Sequence, residues 1–527
     1  MKTLYYGGTI RTLEETDTQQ ALLVENGVIA ATGELESMQA RARDAAMIDL
    51  EGRALLPGFI DAHSHFSGAA YALLQAPLDE AACFADIVDA LTQFIAQRHV
   101  PVGQWVVGRG YDQNALAEGR HPDRTLLDRV SAGHPIMVVH QSGHMGVFNT
   151  VALERLGVAY DTAAPAGGSI ARSGGQLTGY MEENAFVHYQ QQVPAPDMDD
   201  LLDACRCAQQ MYASYGVTTV QEGMLTEGLI PLYEALQAHR VLELDIVAYP
   251  GVDALEAACT AFPDAVRRYV GHFKIGGCKL FLDGSPQGRT AWMRTPYQGA
   301  SDGYRGCGTM TDSALEDALM DACHAGMQPL VHCNGDAAAA QLLSVAAAIE
   351  QTYPDLRALR PVMVHAQLLD VDQMDEVKRL GILPSFFVAH VYRWGDTHIK
   401  NFGLARASRI SAAKAALDRG IRFTLHQDTP VLPPDMLNTI WCAANRVTRS
   451  GVTLGAEQRI PVEAALRAVT ENAAYQYFEE TRLGTLHPGK AADFVLLDAD
   501  PFSVPLDKLR GIRVLETIKA GETVWRA

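Results

Sequence analysis

The stretch GFIDAHSHF, residues 58–66, sets an aspartate and two histidines at alternate positions: Asp61, His63 and His65. On a β-strand successive side chains alternate faces, so these three would share one side. A strand that delivers two imidazoles to one point can hold a metal ion, whereas a helix would aim them apart. Further along, four more groups of this kind close apolar runs. They are Lys279 in GGCKLFLDG, His332 in MQPLVHCNG, His365 in RPVMVHAQ and Asp428 in IRFTLHQD. Neutral imidazoles suit zinc. An aspartate can ligate an ion and also accept a proton from water. An ammonium can do neither, so Lys279 needs a separate explanation.

These groups need elements that bring them to one place. Apolar strands are expected at 54–65, 216–223, 244–250, 276–284, 327–335, 360–367, 381–388 and 421–428. Each after the first follows a helical pattern such as DDLLDACRCAQQMYASYG or DSALEDALMDACHAG. Eight such units predict an α/β fold, a (β/α)8 TIM barrel, whose active site lies at the C-terminal ends of the strands. His63, His65, Lys279, His332, His365 and Asp428 all stand late in their strands and would converge on that mouth.

The gap after the first strand, about 66–215, is too long for a loop. It holds strands of its own, QWVVGRG and PIMVVHQSG, and reads as an inserted subdomain in which 161–179 is a mobile loop. Both chain ends are β-rich. ALLVENGVIAATG is a hairpin around Asn26-Gly27, and VLETIKAGETVWRA is another around Ala520-Gly521. Neither end has enough strands for a core. Residues 1–56 with 484–527 are therefore expected to form one small β-sandwich, and 57–483 the barrel with its insert.

The chain has 527 residues, 48% hydrophobic and 20% charged, a composition able to bury a large core. A formal charge of −19 argues against nucleic acid or an anionic membrane as a partner. No run reaches the ~18 apolar residues that a membrane helix needs, and the N-terminus lacks the apolar core of a signal peptide. The nine cysteines are odd in number and scattered, which reads as reduced thiols in a cytoplasmic protein. Cys278 and Cys333 flank Lys279 and His332 and are expected to point into the core.

In combination these motifs resemble the amidohydrolase superfamily, and within it amidohydrolase family 3, the YtcJ-like branch. LLPGFIDAHSHF, CKLFLDGSPQGRTA, LVHCNGDAA, VMVHAQ and LHQDTPV match its strand-end motifs, and GTLHPGKAADFVLLDADP matches its returning strand. In the insert, VGRGYDQN, SGHMGVFN and LTGYMEENA are similar to the same branch. The resemblance implies one or two divalent ions, most often Zn2+. His63 and His65 would hold the more buried ion, and His332 and His365 the second. Lys279 would bridge the two as a carbamate formed with CO2. Asp428 would be both ligand and catalytic base, taking a proton from the attacking water and passing it to the leaving nitrogen. A bound ion lowers the pKa of water toward ~7 and so makes hydroxide available at neutral pH.

Other positions keep two readings. Asp61 reads as an acceptor that orients a ligand histidine, and Asp283 either as a turn residue or as such a partner. His144, Tyr111, Asp112 and Glu183 in the insert are candidates for substrate contact. Arg289 either lines the pocket or anchors its loop. His134, His140 and His390 carry no assignment. One departure stands out: many members have Gly-Ser-Asp where this chain has His426-Gln427-Asp428.

The expected function is metal-dependent hydrolysis of a non-peptide amide C–N bond in a small molecule, with N-substituted formamides or N-acyl amines as first candidates. The alternatives are a cyclic amide hydrolase, a deaminase on the same site, or a non-catalytic barrel that binds metal and ligand. A homodimer is compatible with the resemblance.

Overall fold

The computed structural model describes residues 2–15 and 17–527. The chain divides into two compact units, one running to Gly68 and resuming at Arg206, the other spanning Ala69–Cys205.

In the first unit, parallel strands follow one another in chain order and alternate with helices. Phe59–Ile60, Val217–Leu225, Asp245–Pro250 and Phe273–Ile275 form one arc. Gly277–Phe281, Gln328–Cys333, Val362–His365, Leu383–Phe386 and Thr424–Leu425 form another. A strand therefore stands at each of the eight expected places, but the closed ladder of a regular barrel is not present. The arcs part at Gly276, where a Cβ would meet Val247 Cγ1 at 2.6 Å, so only glycine fits against the side chains of the neighbouring strand. On the other side the first and last strands have two residues each, too few for a ladder. There a hydrogen bond from His65 N to Thr429 O, 2.7 Å, joins the chain segments.

The expected first strand, 54–65, is also divided. Ala54–Pro57 pairs antiparallel with Phe494–Leu497, and Phe59–Ile60 pairs parallel with the strand from Val217. Gly58 between them lies so close to Thr218 that a Cβ would approach within 2.6 Å. Residues 61–64 belong to no strand, so the metal-type residues leave a strand end rather than sharing its face.

Strands from both chain ends meet in one eight-stranded sheet. Its order is Glu522–Arg526, Val514–Lys519, Phe494–Leu497, Ala54–Pro57, Lys2–Arg11, Thr18–Glu25 and Val28–Gly33, with Ala46–Asp49 also paired to Lys2–Arg11. Alternation serves both faces: Tyr5 and Leu22 pack with Phe494 and Ile518, and Leu4 and Leu23 with Met38. The two expected hairpins are present. Both central residues of each turn have positive φ, 50° and 79° at Asn26-Gly27 and 48° and 80° at Ala520-Gly521.

The second unit is built on a six-stranded sheet that includes Val106–Tyr111, Ile136–His140, Met145–Phe148 and Gln176–Glu183. The segment 161–179, expected as a loop, instead contains the edge strand Gly168–Ser173. It turns at Gly174-Gly175, φ 58° and 75°, and pairs antiparallel with Gln176–Glu183. Among the described residues no helix is long and apolar enough to cross a membrane.

Candidate metal centre

Six of the residues singled out by spacing lie in one connected cluster at the C-terminal ends of the first unit's strands. His63 Nε2 and His65 Nε2 each lie 3.4 Å from Asp428 Oδ1. Lys279 Nζ lies 3.4 Å from His63 Nε2. The His63 and His365 ring centroids are 5.4 Å apart, and His365 Nε2 is 3.1 Å from His332 Nδ1. Of these, His63, His365 and Asp428 present ligand atoms that all fall within 4.8 Å of one another.

The backbone here is forced. His365, Ala366 and Asp428 adopt φ of 69°, 44° and 56°. Non-glycine residues in this region cost on the order of 1–3 kcal/mol each and persist only where surrounding packing dictates them.

Burial sets the protonation states. It lowers the pKa of His63 and His365 well below the usual imidazole value and that of His332 to about 3, so all three are neutral at pH 7 with a lone pair to offer. Lys279 falls to about 7 by burial, against the pull of Asp428. Burial would raise the Asp428 carboxyl, but the His65, His63 and His365 rings outweigh it and keep the carboxyl well below the usual range. Its buried Oδ1 nevertheless has no hydrogen bond of good geometry.

The supporting residues differ in part from expectation. Asp61 does not touch a ligand ring; its Oδ1 accepts from the His63 backbone N, 3.3 Å, and burial raises its pKa to about 8. The ring of His63 is instead held by Gln221, whose Oε1 accepts from Nδ1 at 2.5 Å. The Gln221 Nε2 donates to Ala62 O and to Tyr477 Oη, each 3.0 Å, so the amide orientation is fixed and His63 must present an unprotonated Nε2 to the cluster. In the sequence Gln221 shows only its place in a strand, because its partner stands 158 positions away.

Asp283 is buried and accepts from the backbone N of Asn334, Trp292 and Gly335 at 2.9, 2.9 and 2.7 Å. It thereby ties the loop after Lys279 to the loop after His332. Asn334 Nδ2 in turn lies 3.0 Å from His332 Nε2. Cys278 and Cys333 are buried as expected. Arg289, φ 60°, lies over the Tyr297 ring at 5.2 Å and donates to Gln298 O at 3.4 Å.

The remaining candidates lie in the second unit. Tyr111 is buried, with its hydroxyl 3.0 Å from His121 Nδ1. Asp112 Oδ1 is 3.8 Å from His140 Nε2. His144 and Glu183 are exposed and face each other, Nδ1 to Oε2, at 3.6 Å.

Residues 46–525 match the model of the amidohydrolase family. The chain is 28% identical to the putative amidohydrolase YtcJ of Bacillus subtilis (strain 168), over 100% of this chain and 99% of that one. It is 27% identical to the N-substituted formamide deformylase of Arthrobacter pascens, over 97% and 96%. Among solved structures, an uncharacterized metal-dependent hydrolase from Pyrococcus furiosus aligns with a TM-score of 0.77 at 23% identity, covering 95% of this chain and 100% of that one. The chain therefore belongs to the amidohydrolase family, as a TIM-barrel-like α/β hydrolase of carbon–nitrogen bonds other than peptide bonds.

Proposed function

We propose that the protein is a metal-dependent amidohydrolase that cleaves the amide C–N bond of a small N-substituted formamide or N-acyl amine. The observation that carries this reading is the set His63, His365 and Asp428: two neutral buried imidazoles and a carboxylate whose buried Oδ1 lacks a good hydrogen bond, within 4.8 Å of one another. A buried oxygen of this kind is costly unless something binds it, and this donor set suits a divalent ion such as zinc. The 27% identity to a formamide deformylase over nearly the whole chain supports the substrate class.

His63, His65, His332, His365 and Asp428 would hold one or two ions. When bound, the metal supplies Lewis acidity, lowering the pKa of water and polarising the amide carbonyl. Asp428 accepts the proton that water loses as its oxygen bonds to the carbonyl carbon. It then returns that proton to the amide nitrogen as the C–N bond breaks, because the nitrogen must be protonated to leave as an amine. Gln221 keeps His63 in the tautomer that offers Nε2.

Lys279 is the group best suited to bridge two ions as a carbamate. It is buried, and among the described residues no carboxylate lies within ion-pair distance of its Nζ. Addition of CO2 to the neutral amine, with loss of one proton, would replace an unpaired buried ammonium by the anion that two ions require.

The test is elemental analysis of chain purified without chelator from zinc-supplemented medium, followed by assay of formate release from N-substituted formamides. About two ions per chain is the expected result and supports the bridge; about one removes it. Ammonia released from amino-substituted rings in place of formate would make the enzyme a deaminase. No tightly held metal would sink the mechanism and favour a binding protein.

A further inference from the structure

The strand Gly277–Phe281 places Lys279 and Phe281 on one face, because side chains alternate along a strand. Lys279 points into the metal-type cluster, with Nζ 3.4 Å from His63 Nε2. Phe281 therefore stands on the same inner face, one step nearer the C-terminal ends of the strands. The contacts agree. Phe281 is in register with His332 on the neighbouring parallel strand, and the two rings lie 5.2 Å apart, tilted by 37°. Lys279 Nζ lies 5.0 Å from the centre of the Phe281 ring.

The Phe281 side is open. The residue is 36% exposed, although Lys279, Leu280 and Leu282 around it are all buried. Within the cluster, His63 and His365 are closed off, whereas the His65 and His332 side chains keep 29% and 16% of their surface, and Phe281 abuts His332. A single exposed apolar residue is ordinary on a protein surface and carries no meaning by itself. This one is set among ligand-type groups, and the backbone holds it in place. Phe281 O accepts from Thr309 Oγ1 at 2.6 Å, and Leu282 N donates to His332 O at 3.0 Å. A fixed apolar ring beside convergent polar groups is the composition of a small-molecule site, and an apolar ligand group that covers the ring is stabilised by leaving water.

We propose that Phe281 is the specificity-determining wall of the site, on which an apolar N-substituent of the substrate amide packs. This rests on the formamide reading above. The carbonyl carbon of a formamide carries only hydrogen, so the group on nitrogen is the one part of the substrate large enough to cover the ring. The wall selects hydrophobic leaving amines over small or charged ones, and each methylene that reaches it raises kcat/KM by a factor of up to ~4.

The experiment is a chain-length series, N-methyl-, N-propyl- and N-pentylformamide, on zinc-loaded full-length wild type, Phe281→Ala and Phe281→Gln. Glutamine keeps most of the bulk and removes the apolar surface, so it carries the test should alanine disturb folding. Formate release gives kcat/KM. Calorimetric titration with the corresponding alkylamines, which cannot be hydrolysed, gives affinity without turnover. Expected are values that rise with chain length in the wild type, and a pentyl-to-methyl ratio at least about 10-fold smaller in both variants. The wild-type ratio in either folded variant would overturn the wall and leave the deformylase reading standing. No formate from any compound with wild type would overturn that reading, and the alkylamine affinities then decide the wall alone. A wild type with neither formate release nor an affinity that grows with chain length would overturn both.

Discussion

Two buried polar clusters occupy opposite ends of the parallel strands in the first unit, and they are built on opposite principles. At the N-terminal ends, Asp245 accepts from Lys519 Nζ, Arg482 Nη2 and His272 Nδ1 at 2.7, 2.7 and 2.8 Å. Lys519 also donates to Asp493 at 2.7 Å, Arg482 to Glu479 at 2.7 Å, and Lys274 pairs with Glu479. Three carboxylates thus meet three cations, and each is paired. At the C-terminal ends, the Asp428 Oδ1 and both His426 nitrogens are buried without hydrogen bonds, and the backbone at His365 and Asp428 is left-handed. The first cluster is complete in itself and joins the terminal sheet, through Lys519 and Asp493, to the parallel strands. The second is complete only with something bound. Burial of charge alone does not mark a functional site; burial with unmet valence does.

The comparison is broken most directly at Asp428. Asp428→Asn keeps the shape and removes the base, so kcat should fall by ~10²–10⁴-fold, the range typical of a lost general acid–base. Unfolding of the metal-free variant should show only a small loss of stability, that of the carboxylate's contacts with the His63 and His65 rings at 3.4 Å, because its buried Oδ1 has no hydrogen bond. A large drop in metal-free stability would mean that the upper cluster is structural after all.

The lower cluster should respond in the opposite way. Lys519→Met leaves Asp245 and Asp493 facing each other without their shared cation, and removing one partner of a buried pair costs about 3–5 kcal/mol. Urea unfolding should show that loss, while turnover per folded molecule stays unchanged. The pH dependence has a definite sign. Burial raises the Asp245 carboxyl, but Lys519, His272 and Arg482 overcome it and hold it well below the usual range. Its contribution is therefore present above the unfolded value near ~3.9 and is lost as pH falls through the lower folded value. Lys519 is raised despite its burial, by Asp245 and Asp493, so its contribution is full below the unfolded value near ~10.4 and fades as pH rises through the folded one. Wild type should hold the network's stabilisation across the neutral range and lose it toward strong acid and strong base; Lys519→Met should lack it throughout.

What could be read from the chain in advance follows the range of the interactions involved. The strand positions, the two hairpins and the six clustered side chains announce themselves within ten residues, through alternation, turn residues and a histidine or aspartate ending an apolar run. The breaks at Gly58 and Gly276 did not, because each is imposed by a neighbouring strand, at Thr218 and at Val247. The turn at Gly174-Gly175 is marked locally by its two glycines, but the other glycines and the proline around it give the same loop signal. Asp61 and Gln221 exchanged roles for a similar reason. Proximity in sequence favoured Asp61 as the partner of His63, but the chain bends after Ile60 and leaves its carboxylate on the backbone. His426 was visible only as a departure from the family's usual text, and the histidine rings it packs against stand 363 and 61 positions away.

Gln221 offers the smallest and sharpest test. If its role is to fix the His63 tautomer, Gln221→Leu should weaken metal binding by ~10–100-fold, the usual effect of losing a partner that orients a ligand histidine. Leucine also removes one of the two donors to Ala62 O and the donor to Tyr477 Oη, which keep Gln476 Nε2 and Asp61 O as partners, so some loss of stability is expected and does not by itself settle the point. Gln221→Glu separates the two effects: it keeps an oxygen for His63 Nδ1 but cannot donate to Ala62 or Tyr477. Metal affinity should therefore recover in the glutamate variant, measured by chelator competition, while stability does not. Equal weakening in both variants would make Gln221 a packing residue and return the orientation of His63 to the ion itself.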